Sequence, residues 1–306
     1  MIEKFKFGIY LPTIQEYGHF QELTSSHYLD IIKFIQNNDD DNLVTALQGL
    51  VDNLISDKSM IDKLSRIDMF CILLNLRIVC VGSSVELKIR CPKTKKPFNV
   101  PVDLYDILDS VTNYDIKYTE KIKVGKKCVI TLVPPKSIQT HENDDIVLNS
   151  ISKITLNNID YDPDEYTAEQ KSEILDNLPG NALKKIVSHI NRNHEQYNIH
   201  AIKYKSPHDS TSEHVTYDLQ LYNNSFFEFI KTIYNANLEE QYYLRYILSH
   251  RLGFNNDYIE SRSPAEIDTY IGFYKQELEE QKKQNEKHAG GGQQGPMIPS
   301  ATPPMS

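Results

Sequence analysis

The chain has 306 residues, 40% apolar and 25% charged; it exceeds the usual size of one domain and has enough apolar content for two or three packed units. With 33 basic against 42 acidic residues the formal charge is −9, which opposes binding to nucleic acid or anionic lipid through charge alone. Four cysteines, at 71, 80, 91 and 128, show no short paired spacing, so the pattern is not that of a disulfide scaffold and reduced cytosolic thiols are expected.

After an extended start at Phe5 to Leu11, Thr24-Ser25-Ser26 offers an N-cap, and Tyr28, Ile31, Ile32 and Ile35 recur at helical spacing until the break at Asn37 to Asp41. A second helix is expected from Leu43 to Ile55 on the stripe Leu43, Leu47, Leu50 and Leu54, and a third from Ser59 to Val81, ended by Gly82. The apolar run Met69 to Val81 is interrupted by Asn75 and Arg77 and is too short to span a bilayer. No signal-peptide core follows Met1, so the cytoplasmic side is expected.

The period then changes to two. Val85, Leu87, Ile89 and Cys91 alternate with polar partners, as do Phe98, Val100, Val102 and Leu104 beyond a turn bounded by Pro92 and Pro97. A second hairpin is expected from Ile116 to Val124 and Cys128 to Val133, turning at Gly125-Lys126. Its Lys117 to Lys127 stretch holds five lysines around Glu120 and reads as a solvated strand face. Helical spacing returns from His141 to Leu156, Thr167-Ala168-Glu169-Gln170 has capping-box form, and Pro179 suits the first turn of a helix running to about Tyr197.

Residues 202 to 219 repeat residues 87 to 104 without a gap: Ile202-Lys203 answers Leu87-Lys88, Ser206-Pro207 answers Cys91-Pro92, and Val215, Asp218 and Leu219 answer Val100, Asp103 and Leu104. One hairpin module is therefore expected twice, the second as Ile199 to Lys205 and Val215 to Leu221. Each turn resembles a degenerate zinc-ribbon knuckle. Thr94 stands where a second cysteine would belong and Ser206 replaces Cys91 in the sister turn, so the four ligands of structural zinc are missing. Helices are then expected at Ser225 to Asn235, at Leu238 to Leu252 closed by Gly253, and after Ser263-Pro264-Ala265-Glu266, which combines N-cap, first-turn proline and N3 carboxylate. Ala289 to Ser306 is rich in Gly, Gln, Pro and Ser and has little to bury.

The expected fold class is α+β, with helical N- and C-terminal regions and two small antiparallel hairpin units between them. The expected divisions are 1–82 (helical), 83–140 (first β unit), 141–198 (central helices), 199–222 (second hairpin), 223–287 (helical) and 288–306 (tail).

No catalytic, cofactor or metal motif is recognisable: the chain has no Gly-rich phosphate loop, Gly-x-Ser-x-Gly elbow, His-Glu-x-x-His or Cys-x-x-Cys. Histidines at 189, 194, 200, 208 and 214 are spread over a helix, a strand and a loop, and Asp144-Asp145 and Glu239-Glu240 are adjacent pairs that point apart on a helix. Phe226, Phe227, Phe229, Tyr242, Tyr243 and Tyr246 form the densest aromatic group, read partly as helix packing and partly as a docking surface, because tyrosine combines contact area with a polar handle. These six are the candidate interface residues.

The order of motifs resembles the baseplate hub proteins of T-even-type contractile-tailed bacteriophages. The similar stretches are Thr24-Ser25-Ser26-His27-Tyr28-Leu29, Ile67-Asp68-Met69-Phe70 to Leu76-Arg77, Val81 to Leu87, Cys91-Pro92 with Phe98 to Leu104, Ser225-Phe226-Phe227, and Ser263 to Ile271 through Glu277-Leu278. The resemblance implies a non-enzymatic structural or assembly role in the baseplate hub, without cofactor or membrane and with other phage baseplate and tail proteins as partners. A chaperone that leaves before the virion is complete remains open beside this. So do a ribbon-like nucleic-acid adaptor, motivated by Lys93, Lys95 and Lys96, and, more remotely, a cell-wall hydrolase with two distant carboxylates.

Overall fold

A computed structural model describes residues 5–290 except 92, 113–119, 125–126, 134–149, 163–165, 168, 171–172, 174–175, 197, 209–214 and 221–223, and leaves aside the side chains of 190, 193–203, 215–226 and 288–290. The expectations for His141 to Asn149, for the strand start at Ile116, for the Gly125-Lys126 turn and for the last sixteen residues lie outside the described part.

Strands β1 (Lys6–Leu11) and β2 (Glu16–Gln21) pair antiparallel through a turn in which Gln15 takes φ +60°. The second strand was not legible because Gly18 interrupts its alternation; Gly18 is nevertheless required, since a Cβ there would meet the Phe20 ring at 2.7 Å. Helix α1 (Ser25–Gln36) starts where Thr24 accepts from the His27 N–H, and α2 (Asp40–Leu54) where Asp39 accepts from the Asn42 N–H.

The expected helix from Ser59 to Val81 is two elements, a 3₁₀ segment (Lys58–Lys63) and helix α3 (Arg66–Cys80). They are separated because Ser65 and Asp68 form a reciprocal capping box that restarts the helix. Asp68 is fully buried and also accepts from the Thr13 backbone N–H at 3.0 Å and from the Thr13 hydroxyl, which fixes the first hairpin to the start of α3. Gly82, at φ +133°, ends α3.

Beyond it, β3 (Ser84–Arg90) and β4 (Pro97–Asp103) form the first copy of the repeated hairpin, with Leu87 opposite Val100 and Ile89 opposite Phe98. Leu104, expected in the strand, instead begins helix α4 (Leu104–Thr112), whose Leu104, Ile107 and Val111 recur at helical spacing and are buried.

The next unit is larger than a hairpin. Strands β5 (Glu120–Val124), β6 (Cys128–Leu132), β7 (Ile151–Leu156) and β8 (Ile159–Tyr161) form one antiparallel sheet in chain order. The helical expectation for the end of the 141–156 stretch is therefore corrected: 151–156 is strand. Its β-branched Ile151, Ile154 and Thr155 suit a strand, and Asn157 and Asn158, at φ +53° and +67°, make a two-residue hairpin turn to β8. Helix α5 (Gly180–Gln196) covers this sheet, placing Ile186 against Ile122, Ile130, Leu132 and Ile151. Before it, Thr167 and Gln170 exchange the two bonds of the expected capping box.

The second copy of the repeat, β9 (Asn198–Tyr204) with β10 (Val215–Gln220), also folds as a hairpin, but in a register shifted outward by two residues: Tyr204 lies opposite Val215, whereas its counterpart Ile89 lies opposite Phe98. Beyond a bulge between Tyr217 and Leu219 the shift falls to one residue, Leu219 lying opposite Ile199. The remaining elements are α6 (Asn224–Tyr234), α7 (Leu238–Tyr246) continued by a π-helical turn (Ile247–Arg251), α8 (Asn256–Ser261) and α9 (Pro264–Gly290). Gly253 follows at φ +70°, and Ser263 and Glu266 exchange capping bonds at the start of α9.

The class is thus α+β, mixed helices and small antiparallel sheets. The main core runs from Ile9 through α1, α2, α3, β3, β4 and α4 to Tyr204 and to Phe229, Ile230, Ile233 and Tyr234 of α6. The helices at the two ends of the chain therefore share one interior. Tyr234, fully buried, donates to the Leu73 carbonyl at 2.6 Å, and the half-buried Arg77 guanidinium donates to the carbonyls of Ile233 and Gly82. A separate small core of Leu248, Ile259, Ile267 and Ile271 holds α7 to α9 together, and this module is fixed to α1 by Arg245 donating to the Ser25 carbonyl and Ser25 N–H donating to the Arg262 carbonyl.

Candidate interaction surface

The six aromatic candidates divide between two environments. On α6, Phe229 is 2% exposed with its ring 6.1 Å from that of Phe70. Phe227 is half-buried against the main core, with the Lys231 ammonium 5.7 Å from its ring centre. The Phe226 side chain lies outside the described residues. On α7, Tyr242, Tyr243 and Tyr246 are 49%, 61% and 49% exposed. The division follows from helical geometry: α6 presents its apolar stripe to α3, whereas α7 turns the partly buried Leu244 toward its own small core. Tyr246 is held by stacking on His250, the ring centres 4.4 Å apart. Neighbouring Arg245 is engaged with Ser25 and faces Glu260, so the tyrosines stand on a braced helix.

The two candidate histidines whose side chains are described have separate surroundings. His189 is buried, with Nδ1 against the Glu120 carboxylate that also meets Arg192, while His208 lies at the second knuckle, edge-on to Phe98 at 6.0 Å. The side chains of His194, His200 and His214 lie outside the described residues. Glu239 and Glu240 occupy the first turn of α7, where Asn237 caps both of their N–H groups, an ordinary helix-start arrangement.

The two knuckles face each other. The Tyr204 ring lies 5.6 Å from that of Phe98, and Cys91 and Ser206, both buried, meet across the contact. The Cys91 thiol is brought down to about 7, first by the hydrogen bond from the Ser206 hydroxyl and then by bonds from the side chain and N–H of Thr94. Cys91 has no exposed surface, and those bonds outweigh the desolvation that would raise the thiol. By contrast, burial pushes the thiols of Cys71 and Cys80 up, the latter to about 12. The zinc-ribbon likeness of the hairpins gains no support: each is its own two-stranded sheet, and among the described residues no group of three or more His, Cys, Asp or Glu side chains is placed to hold a metal ion. Among the same residues no helix is long and apolar enough to cross a membrane.

A family model described as T4 bacteriophage base plate protein matches residues 4–228, well over half of the chain. The chain belongs to that family. No curated protein and no solved structure matches it. As a T4-type phage baseplate protein it takes other phage tail proteins as partners and has its place in the tail baseplate of the virion. The matched region ends within α6, so the exposed tyrosines of α7 lie beyond it.

Proposed function

We propose that this baseplate protein is a non-enzymatic structural or assembly component of the baseplate hub, acting through protein contacts made in the host cytoplasm during assembly. Family membership over residues 4–228 carries the reading. The exposed α7 tyrosines support the contact mode, because large aromatic side chains on a rigid helix supply binding energy at low entropic cost. Affinity in such a surface is concentrated in a few anchors rather than spread over its area. The test is co-purification of the tagged chain from infected cells, with identification of the bound proteins and mass spectrometry of purified virions. Recovery of hub proteins, with the chain retained in virions, is the expected result. Retention in assembly intermediates but not in virions would make it a chaperone, and recovery without any tail protein would refute the reading.

A further inference from the structure

We propose that the first knuckle, with Lys205 and His208 beside it, forms a basic docking site for an acidic segment of another baseplate protein; this rests on the reading of the chain as a baseplate component acting through protein contacts. Between Leu87 and Val102 the sequence has five basic residues and no acidic one, in a chain whose net charge is −9. The register of the first hairpin puts these charges together. Val85, Leu87 and Ile89 face the core, so Lys88 and Arg90 face solvent, opposite Asn99 and Pro97 respectively. Neither has a carboxylate directly across the strand, and Glu86 on the same face accepts from the Asn99 amide at 3.1 Å. At the turn, Lys95 and Lys96 are exposed.

The second knuckle extends the patch. Its Tyr204 and Ser206 are buried against Phe98 and Cys91, which leaves Lys205 and His208 exposed beside the first tip. Lys95 is a further sign of function. It takes φ +58°, a left-handed conformation that is strained for a residue other than Gly or Asn. The turn would be better served by either of those, so the fold gives no reason for a lysine there.

An acidic protein segment fits this tip better than a nucleic acid does. The rings of Phe98 and Tyr204 pack on each other beneath the turns and are not presented for base stacking. A duplex extends beyond the tip and, within a screening length of about 10 Å, meets the remainder of a chain with net charge −9. A short acidic segment can lie along Lys88, Arg90, Lys95 and Lys96 at the first tip, where Glu86, two residues before Lys88 on the same strand face, is engaged with the Asn99 amide.

The test uses the full-length chain and the triple variant Lys88→Gln, Lys95→Gly, Lys96→Gln, with thermal melting to verify the fold; Lys95→Gly relieves the turn, so an unchanged or higher Tm is expected. Fluorescent octaglutamate should bind the unaltered chain at low salt, bind the variant at least about tenfold more weakly, and dissociate from both as the Debye length shrinks. Equal binding by the two chains, or none by the unaltered chain, would overturn the proposal. So would a DNA duplex or anionic vesicles that bind more tightly and displace the peptide. In infected cells the variant should be depleted from tails relative to the unaltered chain. If both enter tails equally, the site is refuted while the baseplate reading stands; if the unaltered chain does not enter tails or their intermediates, both fall together.

Discussion

Replacing Phe229 with Ala probes whether the two ends of the chain share one interior. Phe229 is 2% exposed, its ring is 6.1 Å from Phe70 of α3, and it belongs to the core that includes residues of α1, α2 and α4. Truncation to Ala removes the transfer free energy of the ring and leaves a cavity that α3 and α6 can only partly close, a loss of about 3–5 kcal/mol. At about 2–4 °C per kcal/mol for a unit of this size, Tm should fall by roughly 6–20 °C. The assay is denaturant unfolding followed by circular dichroism, paired with amide exchange. Because the interior is shared, protection should fall in α1 to α3 as well as in α6. A loss below about 1 kcal/mol, or a loss of protection confined to α6, would refute the shared core.

The other predictions concern the α7 surface, two titrating groups and a turn. Converting Tyr242, Tyr243 and Tyr246 to Ala should change stability by no more than about 0.5 kcal/mol each while weakening capture of hub proteins at least tenfold, read by quantitative co-purification; an unchanged yield removes α7 as a docking face. The Cys91 thiolate should appear with a midpoint near 7, read by ultraviolet absorbance against a Cys91→Ser control, and Ser206→Ala should raise that midpoint because its hydroxyl is the leading cause of the shift. Since the folded thiol is depressed, its contribution to stability is present above the unfolded thiol range and is lost as pH falls through about 7; a pH-independent difference from Cys91→Ser contradicts this. Burial raises the Asp68 carboxyl against the opposing bonds from Thr13 and Ser65, so the unaltered chain should gain stability relative to Asp68→Asn on acidification from neutral through the carboxylate range, measured by melting at a series of pH values; a loss would reverse the assigned cause. Finally, Asn158→Gly should stabilise the β7–β8 turn by up to about 1 kcal/mol and Asn158→Val should destabilise it, because φ is +67° there; equal Tm values for the two would refute the turn assignment.

What was legible in the sequence was what local chemistry dictates. The caps at Thr24, Thr167 and Ser263 and the stops at Gly82 and Gly253 all act in the structure, and the doubled hairpin survives as a doubled hairpin. The misses have local causes too. Ser65-x-x-Asp68 divides the helix expected from Ser59 to Val81 because a buried carboxylate with two nearby donor sets outweighs helix continuity. Residues 151–156 fit a helical period, but strand pairing with β6 and the left-handed Asn157-Asn158 turn decide the matter. The difference in register between the repeats, two residues next to the loop and one beyond the bulge between Tyr217 and Leu219, is one that no alignment of the strands alone would reveal. For the candidate surface, the aromatic cluster could be counted but not sorted: which ring goes inward depends on α3 meeting α6, a contact between residues far apart along the chain.

The matched family segment and the folded body do not share a boundary. Residue 228 falls one position before Phe229, and the next turns of α6 carry Ile230, Ile233 and Tyr234 into the main core. A fragment trimmed to the matched stretch would have a solvent-filled slot along α3 and would lose the Tyr234 hydroxyl from the Leu73 carbonyl, inviting self-association through its own wound. The matched stretch is thus shorter than the folded interior it enters, and a load applied to α7 would be carried through α6 to the last piece of that interior.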